Sequence, residues 1–107
     1  MGDSSQVARH FGRNMKRLRR EAGLSQEALG FSASLHRTEV GLLERGERTP
    51  RIDTLVKVAA ALGVRIDCPL LDGISWTEGT RTVVPGGFSL SGPGEDHAAA
   101  PFDPLDA

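Results

Sequence analysis

Leu24-Ser25-Gln26-Glu27-Ala28-Leu29, followed after a short break by Leu43-Glu44-Arg45-Gly46, is the stretch that decides the fold. Ser25 suits a helix N-cap, because its hydroxyl can accept from an N–H that the first turn leaves unpaired. It opens a short helix over residues 26–33, with Ala28, Leu29 and Ala33 on the inner face. Gly30 sits inside that helix, where glycine costs about 1 kcal/mol against alanine. Close approach of a neighbouring helix would account for it. A second short helix spans 37–45, with Val40 and Leu43 pointing inward. Glu39 stands three residues past His36, as the acid of a capping box does, and Gly46 ends the helix. A tight turn near Ser34-Leu35 joins the two.

Helices extend the pattern on both sides. Over 6–22, Val7, Phe11, Met15 and Leu18 share one face of a 3.6-residue period, and Gly23 stops the run. Over 50–62, Thr49 is the expected cap and Pro50 the first helical residue, where its missing N–H costs nothing. Ile52, Leu55, Val58, Ala59 and Leu62 form its apolar stripe, and Gly63 closes it. Residues 67–71 could add one more turn, with Leu70 and Leu71 buried. The expected architecture is all-α, a compact four- to five-helix domain over 6–71.

Residues 72–107 differ in kind. They hold 6 of the 13 glycines and 4 of the 6 prolines. Thr80–Val84 and Phe88-Ser89-Leu90, separated by Pro85-Gly86-Gly87, could form a small hairpin over 80–90. A lone hairpin is marginal, so Trp76, Val83, Val84 and Phe88 would have to pack on the helices. From Ser91 onward the composition reads as a weakly ordered tail.

Charge divides at the same place. Residues 1–71 carry 12 Lys and Arg against 8 Asp and Glu, a net of +4, whereas 72–107 carry a net of −5. A basic front with an acidic rear suggests a polyanion-binding domain and a tail of opposite sign. The 107 residues fit one domain. The longest apolar run, residues 58–62, is far short of the roughly 20 residues a bilayer needs, and nothing after Met1 reads as a signal peptide. Cys68 is the one cysteine, so no internal disulfide forms. Its place before Pro69 at an apolar helix start predicts a buried structural thiol, and a reducing, cytoplasmic setting.

Enzymatic chemistry is disfavoured. There is no phosphate-cradling glycine loop on a strand, no His/Glu metal pair and no nucleophile with a base, so no cofactor is expected. The 36 residues of the rear are too few to enclose a ligand-sensing pocket.

Two short helices joined by a tight turn, with a helix on each side, have the layout of a helix-turn-helix. Leu18-Arg19, Gly23-Leu24-Ser25-Gln26, Leu29, Val40, Leu43-Glu44-Arg45-Gly46, Pro50, Leu55 and Leu62-Gly63 together resemble the lambda-repressor-like, XRE/Cro-type family of transcriptional regulators. The resemblance covers about residues 11–71. It implies a double-stranded DNA operator as partner, repression as the outcome, and a homodimer on a near-palindromic site.

The residues support that reading physically. An α-helix fits the major groove if one side is buried and the other carries reaching side chains. In the helix over 37–45, Arg37, Thr38, Gly41 and Leu42 face outward. Arg37 can donate two parallel hydrogen bonds to guanine, and Thr38 can bond a base or a phosphate. Leu42 either touches a thymine methyl or packs. Gly41 lets the helix sit deep. The family analogy places Gln26 on a phosphate at a helix N-terminus, where anions are attracted. Arg45 and Arg48 can reach phosphates, with Arg51 a weaker candidate. His36 departs from the family's Ser or Thr; it either bonds a phosphate or serves as a plain turn residue. Arg19 and Glu44 match a pair that the family buries as a structural salt bridge.

Two other readings stay open at this level. One is an antitoxin, whose acidic tail would bind a toxin protein. The other is a protein-interaction module that has kept the fold and lost DNA.

Overall fold

Asp3 starts the first helix. In the computed structural model, which describes residues 3–92, its carboxylate accepts from the Gln6 N–H and the Gln6 side chain accepts from the Asp3 N–H. This reciprocal box sets α1 at Ser4–Glu21, two residues earlier than apolar periodicity alone suggests. Ala8, Phe11, Met15 and Leu18 are buried along it. Gly23, in the left-handed region at φ +73°, then turns the chain.

Helix α2 (Gln26–Ala33) opens under Ser25, whose Oγ accepts from the Ala28 N–H at 3.0 Å. Ala28 itself is exposed, and only Leu29, Gly30 and Ala33 are buried. Gly30 is needed by the turn rather than by a neighbouring helix. A Cβ there would stand 2.6 Å from the Leu35 carbonyl oxygen, whose residue folds back to donate its N–H to the Gly30 carbonyl at 2.7 Å. Helix α3 (Arg37–Glu44) follows, with Arg45 as its C-cap rather than its last turn. His36 caps it: Nδ1 accepts from the Thr38 N–H at 3.0 Å. The Glu39 side chain pairs with Arg48 rather than closing a capping box.

Helix α4 (Ile52–Leu62) begins later than expected. Arg51 is its N-cap, without a side-chain bond, and Thr49 and Pro50 lie outside. Ile52 is 81% exposed, so the buried stripe starts at Thr54 and runs through Val58 and Ala59, with Leu55 half-buried beside it. No fifth helix forms over 67–71; the chain makes turns there. Asp67 spends its carboxylate on the Cys68 N–H and on Arg65. Leu70, rather than Cys68, enters the core, and the thiol is exposed.

The core joins Phe11, Met15, Leu18, Leu29, Val40, Leu43, Val58, Ala59 and Leu70. Burying a side chain of the Leu or Phe class is worth about 1.5–3 kcal/mol, so this aliphatic cluster is what holds four short helices together. It makes a largely helical domain.

The hairpin has a different partner from the one the sequence suggested. Strand β1 (Ile74–Thr77) pairs antiparallel with β2 (Gly87–Leu90), with Trp76 opposite Phe88, and residues 80–84 belong to the connection. The Trp76 and Phe88 rings meet edge to face at 5.1 Å. Val83 and Val84 are exposed, held in a turn by the Thr80 hydroxyl. The ribbon is fastened to α1: Asn14 donates to the carbonyls of Leu70 and Asp72, and His10 Nε2 lies 2.9 Å from the Asp72 carbonyl. The tail over 93–107 lies outside the described residues. Among the described residues no helix is long and apolar enough to cross a membrane.

Candidate nucleic-acid interface

Helix α3 has two chemically opposite faces. On the inner side, Arg19 and Glu44 form a two-pronged pair, Nε to Oε2 at 2.6 Å and Nη2 to Oε1 at 3.0 Å. Their side chains are 0% and 2% exposed. Arg19 also donates to the Leu24 carbonyl at 2.9 Å. Glu44 Oε1 accepts a further bond from Gln26 Nε2 at 3.1 Å. One carboxylate thus ties α1, the start of α2 and the end of α3 together. The helices approach closely there, for a Cβ on Gly12 would sit 2.4 Å from the carbonyl oxygens of Leu43 and Glu44.

On the outer side, Arg37 and Thr38 are exposed and Leu42 is half-buried. Arg37 stands 63% free, 3.6 Å from the Glu27 carboxylate. Gly41 is covered rather than open. The Arg45 guanidinium lies across it, with Nη1 2.9 Å from where a Cβ would be, and Gln26 Nε2 is 3.8 Å from the same point. The missing side chain therefore makes room for Arg45, and two donor groups converge beside the outer face. Arg45 Nε also bonds Glu47 at 2.6 Å, Arg48 bonds Glu39, and Arg51 lies 3.4 Å from Asp53. His36 uses one ring nitrogen as a cap and is otherwise exposed.

The structure thus brings Arg37, Thr38, Leu42, Gln26 and Arg45 to one side, with Arg48 joined to it through Glu39. Sequence reasoning missed two features of this surface. The first is its own acidic partners. Glu47, two residues past Arg45, could have been noticed; Glu27 and Glu39 meet their arginines only through the fold. The second is Phe31, 89% exposed, which with Glu27, Leu35, His36 and Arg37 lines an open groove of about 440 Å³. An apolar residue at that point of a short helix reads as core from periodicity alone.

The ribbon is fastened to a different face of α1 from the one that meets α3. Gly12 and Arg19, seven apart, share the α1 face that meets α3; His10 and Asn14, four apart, share the face that holds the ribbon. His10 and Gly12 are two positions apart, which puts the two faces on opposite sides of α1.

Residues 15–67 match the helix-turn-helix family model. Control protein C.BamHI of Bacillus amyloliquefaciens is 39% identical over 56 residues, which span 51% of this chain and 69% of that protein. The chain belongs to the lambda-repressor-like, XRE/Cro-type helix-turn-helix family. Another relative, the uncharacterized HTH-type transcriptional regulator y4dJ of Sinorhizobium fredii, is 45% identical over 53 residues, 50% of this chain and 69% of that one. Among solved structures, the restriction-modification controller protein C.AhdI from Aeromonas hydrophila superposes with a TM-score of 0.60 at 36% identity. That match covers 62% of this chain and 96% of the controller. This helix-turn-helix protein is accordingly a DNA-binding transcriptional regulator, with the Arg19–Glu44 pair behind its second motif helix and a ribbon added on the far flank of α1.

Proposed function

We propose that the regulator binds duplex DNA sequence-specifically, with α3 in the major groove. One observation carries this: the outer face of α3 presents Arg37 and Thr38 to solvent, beside Gln26 and Arg45, with the ribbon on the opposite flank of α1. Arg37 reads guanine through O6 and N7, Thr38 reads or steadies a neighbouring position, and Leu42 meets a thymine methyl. Gln26, Arg45, Arg48 and the free side of His36 contact phosphates and fix the register. Glu44 holds Gln26 in place through its Oε1, so the buried pair sets the geometry of a backbone contact as well as that of the helix.

A two-fold pair of such domains would place half-sites about 34 Å apart, one helical turn. Occupying a promoter would exclude polymerase, which makes repression the outcome we favour. A narrower role, control within a restriction-modification system, is favoured by the likeness to C.BamHI and C.AhdI.

Selection from a random duplex library at two salt concentrations tests the reading. The expected result is an enriched motif with dyad symmetry and an affinity that falls steeply with salt through counterion release. Recovery of no motif, with affinity flat in salt, would instead suit a module that binds protein. A reporter driven from the selected site then gives the sign of regulation.

A further inference from the structure

The arginines that border α3 do not face solvent with free charges. Arg45 is bonded by Glu47 at 2.6 Å, Arg48 by Glu39, and Arg37 stands 3.6 Å from Glu27. These are the same cations that the proposed function assigns to DNA, so each carboxylate occupies a place that a phosphate or a base edge would take. The pairs are exposed or half-exposed, and such pairs are weak and screened by salt. They are easily exchanged, unlike the buried Arg19–Glu44 pair.

We propose that Glu39 and Glu47 are attenuators of DNA binding: each holds a backbone-contacting arginine in an internal ion pair and competes with phosphate for it, so that sequence-independent affinity is kept low. This rests on the DNA-binding reading above. Sequence-independent binding comes almost wholly from cations meeting phosphates. An arginine already neutralised within the protein contributes little to it. Base contacts made by the outer face of α3 then supply a larger share of the total, which is what a regulator searching a long excess of wrong sites requires. Glu39 serves doubly, since it also lies in the first turn of α3 where a negative charge favours the helix.

The test uses the full chain and a short fluorescent duplex of random sequence, titrated across a salt series. Glu39→Gln and Glu47→Gln keep shape and remove charge. Each is expected to tighten binding by about two- to fivefold at low salt, the range of one exposed ion pair. Each should also steepen the slope of log affinity on log salt by about one, because one more arginine now meets a phosphate. Asp67→Asn is the control for net charge. It removes the same charge from the Arg65–Asp67 pair, which lies in a groove lined by Val56, Ala59, Val64, Ile66 and Leu71, from α4 and the chain after it.

Loss of a first-turn acid should lower the melting point slightly in Glu39→Gln, so tighter binding by a less stable protein cannot come from a better fold. Unchanged affinity and slope in both variants, with wild type binding the duplex, overturns the attenuator role alone. An equal gain in Asp67→Asn overturns it too, as an effect of net charge. No binding by wild type or any variant overturns the DNA-binding reading and this inference together.

Discussion

Two sets of ion pairs flank the same helix, and they do different work. Behind α3, Arg19 and Glu44 meet with almost no access to water. Before it, Arg37–Glu27, Arg45–Glu47 and Arg48–Glu39 meet in or near solvent. The chemistry is the same and the surroundings decide the role. A buried pair adds little net stability, yet it cannot be opened from one side without leaving a charge in a dry place. An exposed pair opens at almost no cost and can trade its carboxylate for a phosphate. One set locks the geometry of α3; the other is available for exchange.

The sharpest way to break this contrast is Glu44→Ala. It should cost about 3–5 kcal/mol of stability in a denaturant titration, because the buried Arg19 loses the carboxylate that balances its charge. Replacing both residues by apolar ones, Arg19→Met with Glu44→Leu, should restore much of that stability. The double variant should still bind DNA more weakly, since Gln26 Nε2 has lost the acceptor that aims it. Full recovery of binding would show that the lock has no part in placing Gln26.

Arg37→Ala comes next. It should leave the melting point nearly unchanged and cost about 1–3 kcal/mol on the selected site, with relaxed preference at one base pair. Unaltered selectivity would remove Arg37 from the reading set. Arg45→Ala should weaken binding to all sequences alike, with a salt slope shallower by well under one while Glu47 holds the guanidinium and by about one in a Glu47→Gln background. A loss confined to one sequence would make Arg45, lying across Gly41, a base reader instead.

The smallest effect is at Asp3. Bonds from the N–H of Gln6 and the hydroxyl of Ser5 hold its carboxyl below the usual carboxylate range. Its contribution is therefore present above that range and fades as pH falls through the lowered value. Amide protection in the first turn of α1, taken relative to the intrinsic exchange rate at each pH, should fall on acidification, and Asp3→Ala should lower it throughout and abolish that pH dependence.

Legibility followed locality. Ser25, Gly23, Gly46 and Gly63 act within a few residues of themselves, so the ends of α2 and the stops after α1, α3 and α4 could be read directly. Gly30 was flagged by its cost, although its partner proved to be its own turn. Non-local competition hid the rest. The run at 80–84 has strong β character, but the strand that pairs with 87–90 is the one that follows the Asp72 carbonyl, which Asn14 and His10 grip from α1. Cys68 lies in a turn that leaves its thiol exposed, whereas Leu70, two residues on, enters the core. Ile52 fits the stripe of α4, yet as the first residue of that helix it stays exposed, and burial starts only at Thr54. Of the candidate interface, its cations and its Gln26 could be read in the sequence. Two of their three carboxylate partners could not, because Glu27 and Glu39 lie ten and nine positions from the arginines they meet.

Helix α1 serves two clients from opposite sides, gripping the ribbon by His10 and Asn14 and α3 through Gly12 and Arg19. Such a spine gives each client its own anchorage, while Ile74 of the ribbon also reaches the core that Val40 and Leu43 of α3 share. Changes in the connection between the strands leave both anchorages untouched, so that is where evolution or a protein engineer can alter the flank with the least effect on α3.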